Sequence, residues 1–490
     1  MGKPDIYDLR SAIEFLKSQP GEFAETDVEV DPCCEITGVY RYLGAGGVVK
    51  RPTKKGPALM FNNIKGYDDA RCLIGLLGSR KRTADLFGTT PEDLSYFLKD
   101  CAENPIWPVE VPRSEAKQTV THYATEPDFD ILKYVPAAQA TSEDAGPYLT
   151  QGLCYATDPM TGDSDVTIHR MCIQDKDTIS FYIVPGGRHI GAFFEHACEM
   201  NVPLKMSVNI GLDPAILVGA CFEPPTTPLG YNELGVAGAI RQKPVEITDC
   251  PSIPQKCIAN AEFVIEAMLL PNETIAEDYT SHSGKAMPEF PGYTGPALPK
   301  LCKMKVISVS YREHPIMQTI IGPSEEHVSL CGLPTEASII KMIDTALPGR
   351  LKNVYVTSCG TGKLMAILQV NKRMKSDEGR QRQMALLAFS AFSELKDIIL
   401  VDDDVDPFDY EDVLWAMTTR YEGDIDTIFI PGIRCHPLDP SQTPEYNARL
   451  EDVGCTCKTI FDCTVPYRLK DKFQRAKFKE LDPYKWFPEL

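Results

Sequence analysis

What the chain lacks narrows its class before any motif is read. It holds 17 cysteines but no C-x-x-C pair, and the only close groups are Cys33-Cys34 and Cys455/Cys457/Cys463. Such scattered residues behave as small buried hydrophobes in a reducing compartment, which argues against a disulfide framework. No run approaches the ~18 uninterrupted apolar residues of a membrane span. The opening MGKPDIYDLR has no apolar leader core, and Ile6 breaks the myristoylation pattern. A soluble, cytoplasmic protein without a membrane partner is expected. An excess of basic charge is missing too: 69 Asp+Glu against 50 Lys+Arg leave a net charge of -19, which repels a phosphate backbone and removes nucleic acid from the expected partners. There is no internal repeat, no low-complexity tract and no G-x-S-x-G elbow.

What is present is a well-stocked core, 43% hydrophobic and 24% charged over 490 residues, enough for two or three domains. Ile6, Leu9, Ile13 and Leu16 recur at helical spacing ahead of Pro20, and the strand-like ETDVEVD and PALMFNNIKGY follow, so the first segment reads as a small α/β unit. After the proline-rich NPIWPVEVP the text turns to strands: SDVTIHRMCIQ, TISFYIVPG, LKMSVNIG, AILVGACF, AEFVIEAMLL and MKVISVSY. Helical interludes near 190–200 and 232–241 complete what looks like a β-barrel-like middle domain. From LPTEASIIKMIDTAL onward helix and strand alternate, which predicts a third, α/β domain.

Three motifs fail on inspection. GAGGVV lacks the last glycine of a dinucleotide loop, where Val49 stands. SCGTGKLM lacks the first glycine of a phosphate loop and puts Leu364 where Mg²⁺ needs a hydroxyl, so Lys363 needs another explanation. VDDDVDPFDYED is acidic enough for a metal cluster but reads as a solvated turn with Asp409 capping a helix.

The informative anomaly is SDVTIHRM. Val166 and Ile168 alternate with polar neighbours and predict a third apolar residue at 170, yet the position holds Arg170. An arginine in an apolar row is costly unless an anion meets it. Asp165, His189 and Glu233 each stand at a strand or helix end, and together they form a mixed oxygen and nitrogen set suited to Mn²⁺ or Mg²⁺, though spacing alone fixes no geometry. In GGRHIG, Arg188 and His189 stand at an expected helix start, where amides and a guanidinium favour a phosphate. AMPEFPGY holds Glu289 between two prolines.

With GVYRYLGAGG, GYNELGVAGAIR, IGPSEEHVSL, GLPTEASI and TIFDCTVP, these words make a chain that resembles, over nearly its whole length, the UbiD family of prenylated-flavin-dependent decarboxylases. The likeness is greatest to the branch acting on gallate and 3,4-dihydroxybenzoate. The resemblance implies a mixed α/β (α+β) architecture: an N-terminal α/β domain over 1–115, a split-barrel domain for prenylated FMN over 116–325, a linker helix over 326–350 and a C-terminal α/β oligomerisation domain over 351–490.

It further implies prenylated FMN lying along Thr167, Ile168, His169 and Arg170 and at Arg188 and His189, with K⁺ and with Mn²⁺ or Mg²⁺ on Asp165, His189 and Glu233. Many relatives carry asparagine at the first of these, so the site here is one charge more negative. Arg170 matches the active-site arginine, expected on a row facing the barrel interior, and Glu289 matches the proton donor. The family's other glutamate falls at Gly284, and Glu277 is the nearest fitting acid. His327, Lys363 and His436 match the residues that handle the ring hydroxyls. A cationic lysine beside imidazoles favours phenolate over a phenol of pKa near 10. The implied reaction is reversible, non-oxidative loss of CO₂ from a hydroxybenzoate, with a flavin prenyltransferase supplying the cofactor to a homodimer or hexamer. Residues alone leave open 4-hydroxybenzoate or vanillate as substrate, a metal-dependent phenolic-ester hydrolase, and a non-catalytic flavin-binding protein.

Overall fold

The computed structural model describes residues 3–183, 189–443, 445–446 and 454–489. The first helix, Leu9–Lys17, buries Leu9, Ile13 and Leu16 and begins where the Asp8 carboxylate accepts the Ser11 amide. It flanks a four-stranded sheet in the order Phe23–Thr26, Ala58–Phe61, Arg71–Ile74, Ile316–Thr319. The last of these strands arrives from beyond the middle domain, so N-terminal and middle units share one sheet and cannot separate without breaking its ladder.

Six strands close the barrel in the cyclic order Phe263–Ile275, Leu204–Ile210, Tyr148–Thr157, Ser164–Asp175, Thr178–Phe181, Leu301–Tyr311, with the last pairing back onto the first. Closure leaves no open edge within the ring. Cys154, Met171, Ile179, Met206, Ile265 and Met304, one from each strand, form a single cluster and therefore fill the interior. Leu153, Val166 and Val264 belong to another cluster, with Ile216, Leu217 and Val236 of flanking helices. Side chains alternate across a strand, so Ile168 and Arg170 share the row of Val166. That row is the outer face of the barrel, which corrects the expectation that Arg170 faces the interior.

AILVGACF is also not a strand. Residues Pro214–Gly219 form a helix whose start is fixed by proline in the first turn and by Asp213 accepting the Ala215 and Ile216 amides. An apolar run buried on every side carries no period that separates helix from strand. The helices expected near 190–200 and 232–241 form as His189–Glu199 and Leu234–Arg241.

A helix of 22 residues, Glu325–Ala346, leads into the last unit. Its sheet runs Leu351–Val356, Met365–Val370, Asp397–Asp402, Cys455–Cys463, Thr427–Arg434, with the three central strands parallel. Asp409 caps the helix Tyr410–Thr419, as its turn reading anticipates. SCGTGK joins two antiparallel strands rather than a strand to a helix, so it has no phosphate-loop context. Among the described residues no helix is long and apolar enough to cross a membrane.

Candidate active site

A cavity of about 220 Å³ lies between the barrel's outer face, the start of the long helix and the last domain. A cavity of roughly 150 Å³ suffices for benzene, so this one has room for a substituted ring.

The barrel wall carries Ile168, His169, Arg170, Tyr182 and Glu289. His169 Nδ1 lies 3.0 Å from the Tyr182 carbonyl, and the Arg170 guanidinium stacks 4.2 Å from the Tyr182 ring centroid. Burial pushes the Tyr182 phenol above its ordinary value, against the pull of Arg170. Arg170 meets a carboxylate on each side. Its Nη1 pairs with Glu289 Oε1, and its Nη2 lies 3.1 Å from Glu277 Oε1. These carboxylates answer the charge that the apolar row left unexplained. Glu277 does not line the cavity. It is held behind Arg170 by the Tyr148 hydroxyl at 3.1 Å and the Leu298 amide at 3.1 Å. Glu289 sits on a turn closed by its own amide to the Tyr293 carbonyl. Gly322 passes beneath this turn so closely that a Cβ there would lie 2.4 Å from the Pro288 carbonyl oxygen, which excludes any larger residue.

The opposite wall carries His327, Lys363 and His436, brought from three separate stretches of chain. His327 stacks on Phe290 at 5.8 Å between centroids, and His436 meets the same ring edge-on at 4.6 Å. Lys363 lies 5.6 Å from the Phe290 ring and donates to Glu394 Oε2 at 2.5 Å. Glu394 and Tyr182 were absent from the sequence-based set. Glu394 stands in an ordinary polar turn, SELK, and no periodicity or motif marks it.

Asp165, His189 and Glu233 converge as expected, each offering a ligand atom within 4.8 Å of the others. Their side chains are almost fully buried, with His189 Nδ1 at 3.3 Å from Asp165 Oδ1 and 3.8 Å from Glu233 Oε1. Asp165 Oδ1, His189 Nε2 and Glu233 Oε2 have no hydrogen-bond partner among the described residues. Burial drives the Glu233 carboxyl well up, and the adjacent Asp165 charge drives it further. Buried like charges with orphaned lone pairs fit a divalent cation. The Thr167 hydroxyl donates to Asp165 Oδ2 at 2.8 Å, so Thr167 orients a member of this cluster and does not line the cavity. Arg188 lies outside the described residues.

Residues 13–99, 109–325 and 328–463 match, in turn, the N-terminal, Rift-related and C-terminal domains of the 3-octaprenyl-4-hydroxybenzoate carboxy-lyase (UbiD) family. A gallate decarboxylase of Lactiplantibacillus plantarum is 51% identical over 97% of both chains. The apo structure of a 3,4-dihydroxybenzoic acid decarboxylase from Enterobacter cloacae superposes with a TM-score of 0.94 at 53% identity, covering 99% of both chains. An evolved dimeric form of the UbiD-class enzyme HmfF from Pelotomaculum thermopropionicum, in complex with prFMN, gives a TM-score of 0.83 at 28% identity over 99% of this chain and 100% of that one. With all three domains matched in order along its length, the chain belongs to the UbiD family of carboxy-lyases.

Proposed function

We propose that this protein decarboxylates hydroxybenzoic acids, gallate and 3,4-dihydroxybenzoate foremost, with prenylated FMN as its cofactor. One observation carries the reading: the Arg170–Glu289 pair faces the Lys363, His327 and His436 cluster across a single cavity. The names of the gallate and 3,4-dihydroxybenzoate relatives support the substrate class.

The barrel wall suits a flavin, because Ile168, the Tyr182 ring, His169 and Arg170 together offer an apolar face beside polar donors. Asp165, His189 and Glu233 would hold Mn²⁺ or Mg²⁺. Prenylated FMN, when bound, supplies an electrophilic carbon that accepts the electron pair a departing CO₂ leaves on an aryl ring.

The chain's own residues do the rest. Lys363, His327 and His436 orient the ring hydroxyls and favour the phenolate, which pushes electron density toward the carbon bearing the carboxylate. Glu289 then delivers a proton to that carbon. Arg170 holds Glu289 in place, and Glu277 holds Arg170. A flavin prenyltransferase supplies the cofactor in the cytoplasm, K⁺ accompanies the divalent ion, and the chain works as a homodimer or hexamer.

The test is expression together with a flavin prenyltransferase, followed by an absorbance spectrum, mass analysis of the released flavin and CO₂ measurement over a panel of hydroxybenzoates. Glu289→Gln should abolish turnover and deuterium exchange into the product while the flavin absorbance persists. Colourless protein that consumes aryl acids or phenolic esters at full rate overturns the proposal.

A further inference from the structure

Three charged or polar groups meet at the far wall of the cavity, and their hydrogen-bonding directions differ. Lys363 is a donor only. The Leu438 amide donates to His436 Nδ1 at 3.1 Å, which leaves the hydrogen of this imidazole on Nε2, 3.6 Å from Glu394 Oε1. Glu394 Oε2 takes Lys363 at 2.5 Å. Glu394 turns one oxygen toward each of these two donors and is therefore the acceptor of the group, and its side chain, 20% exposed, opens onto the cavity.

The turn that bears Glu394 is fixed from several sides. Three successive carbonyls accept side-chain donors: Ser393 and Leu395 from the Lys458 ammonium, and Glu394 from the Cys435 thiol. Lys458 is only 1% exposed and lies 4.9 Å from the Phe389 ring, so this clamp is internal. The Lys396 and Asp397 amides both bond the Leu364 carbonyl, at 2.8 and 2.9 Å, which ties the Glu394 turn to the turn of Lys363. Lysine and carboxylate are thus held at a set spacing before any substrate arrives.

A ring with a single phenolate oxygen needs only donors. A ring with two adjacent oxygens, one ionised and one still carrying hydrogen, needs a donor and an acceptor side by side. We infer that Glu394 selects substrates with vicinal hydroxyls, accepting the neighbouring hydroxyl's hydrogen while Lys363 holds the phenolate oxygen. This rests on the reading that a hydroxybenzoate enters the cavity. A methoxy group in the second position has no hydrogen to give and presents its lone pairs to a carboxylate, so such rings are rejected along with monophenols.

The experiment compares holoenzyme with Glu394→Gln and Glu394→Asp variants. The aspartate keeps a charge for Lys363 but withdraws the acceptor by one methylene. Four ratios are read: kcat/KM for 3,4-dihydroxybenzoate over 4-hydroxybenzoate and over vanillate, and calorimetric affinity for catechol over phenol and over 2-methoxyphenol. A hydrogen bond to a charged group contributes about 10- to 100-fold, and all four should fall by about that factor in both variants, chiefly through loss on the vicinal diol. Circular dichroism should match wild type. Unchanged ratios in a wild type and variants that release CO₂ make Glu394 merely a counter-ion of Lys363 and overturn the inference while sparing the proposed reaction. A wild type that releases no CO₂ from any of these acids, yet binds catechol over phenol in a manner dependent on Glu394, does the reverse.

Discussion

Arg170 Nη2 donates to Glu277 Oε2 at 3.2 Å, and the side chain of that carboxylate is 1% exposed, so the guanidinium on the cavity wall is anchored from behind by a buried acid. The Tyr148 hydroxyl and the Leu298 amide fill further lone pairs of that acid, which makes its position fully determined.

Removing Glu277 takes one of two carboxylate partners from a largely buried guanidinium. Breaking a buried ion pair costs about 3–5 kcal/mol, and because Arg170 keeps Glu289 on its other side the lower end of that range is expected. Glu277→Ala should therefore lower folding stability by about 3 kcal/mol in urea titration, and Glu277→Gln, which keeps the Tyr148 contact, by less. Both should slow turnover. A Glu277→Ala protein with wild-type stability and rate would remove Glu277 from the support of Arg170.

The cluster of Asp165, His189 and Glu233 predicts a response to metal that needs no cofactor. A ligand that binds only the folded state at about 100 times its Kd adds about 2.7 kcal/mol of stability. Mn²⁺ added to chelator-treated protein should raise the unfolding temperature, and Asp165→Ala should erase that rise. Asp165→Asn should keep part of it, since it removes one charge and leaves one oxygen ligand. An unfolding temperature indifferent to Mn²⁺ in the wild type would sink the metal reading.

How much of this could be read from the letters depended on the kind of signal. The period-2 pattern around Val166 and Ile168 marked Arg170 as anomalous, but alternation fixes only which residues share a row, not which row lies inside a closed barrel. The pairing of Ser164–Asp175 with both neighbours decides that, and pairing is a non-local fact. Residues 215–222 failed for a related reason, since a run buried on all sides has no polar face to reveal its period. The set of Asp165, His189 and Glu233 was legible as chemistry but gathered only by the fold. Glu394 was invisible because it lies at the amino-terminal end of the parallel strand Asp397–Asp402, as Lys363 does for Met365–Val370. Open parallel sheets usually place ligands at the carboxyl ends of their strands. Here the third domain offers the other end to the barrel.

The last prediction concerns the contact between the N-terminal unit and the long helix. Glu326 is fully buried, and its carboxylate accepts the Gly75 amide at 2.7 Å and the Leu77 amide at 3.1 Å. Gly75 has a φ of +88°, and a Cβ there would lie 2.7 Å from the Tyr40 ring, so only glycine brings its amide to this acid. Burial lifts the Glu326 carboxyl from 4.5 to about 7, and the two amides and Arg82 only partly restrain the rise. Between these two values the folded protein keeps a proton that the unfolded chain has lost, so this group makes stability fall as pH rises from about 4.5 to about 7 and adds no slope above that. The full effect is about 3 kcal/mol. Glu326→Gln carries no titrating proton, so its stability relative to wild type should improve by that amount across the window, whatever its fixed loss from a mismatched amide. Urea unfolding of both proteins at pH 5, 6, 7 and 8 checks this. Curves that run parallel over the whole range would show that Glu326 holds the same charge folded and unfolded.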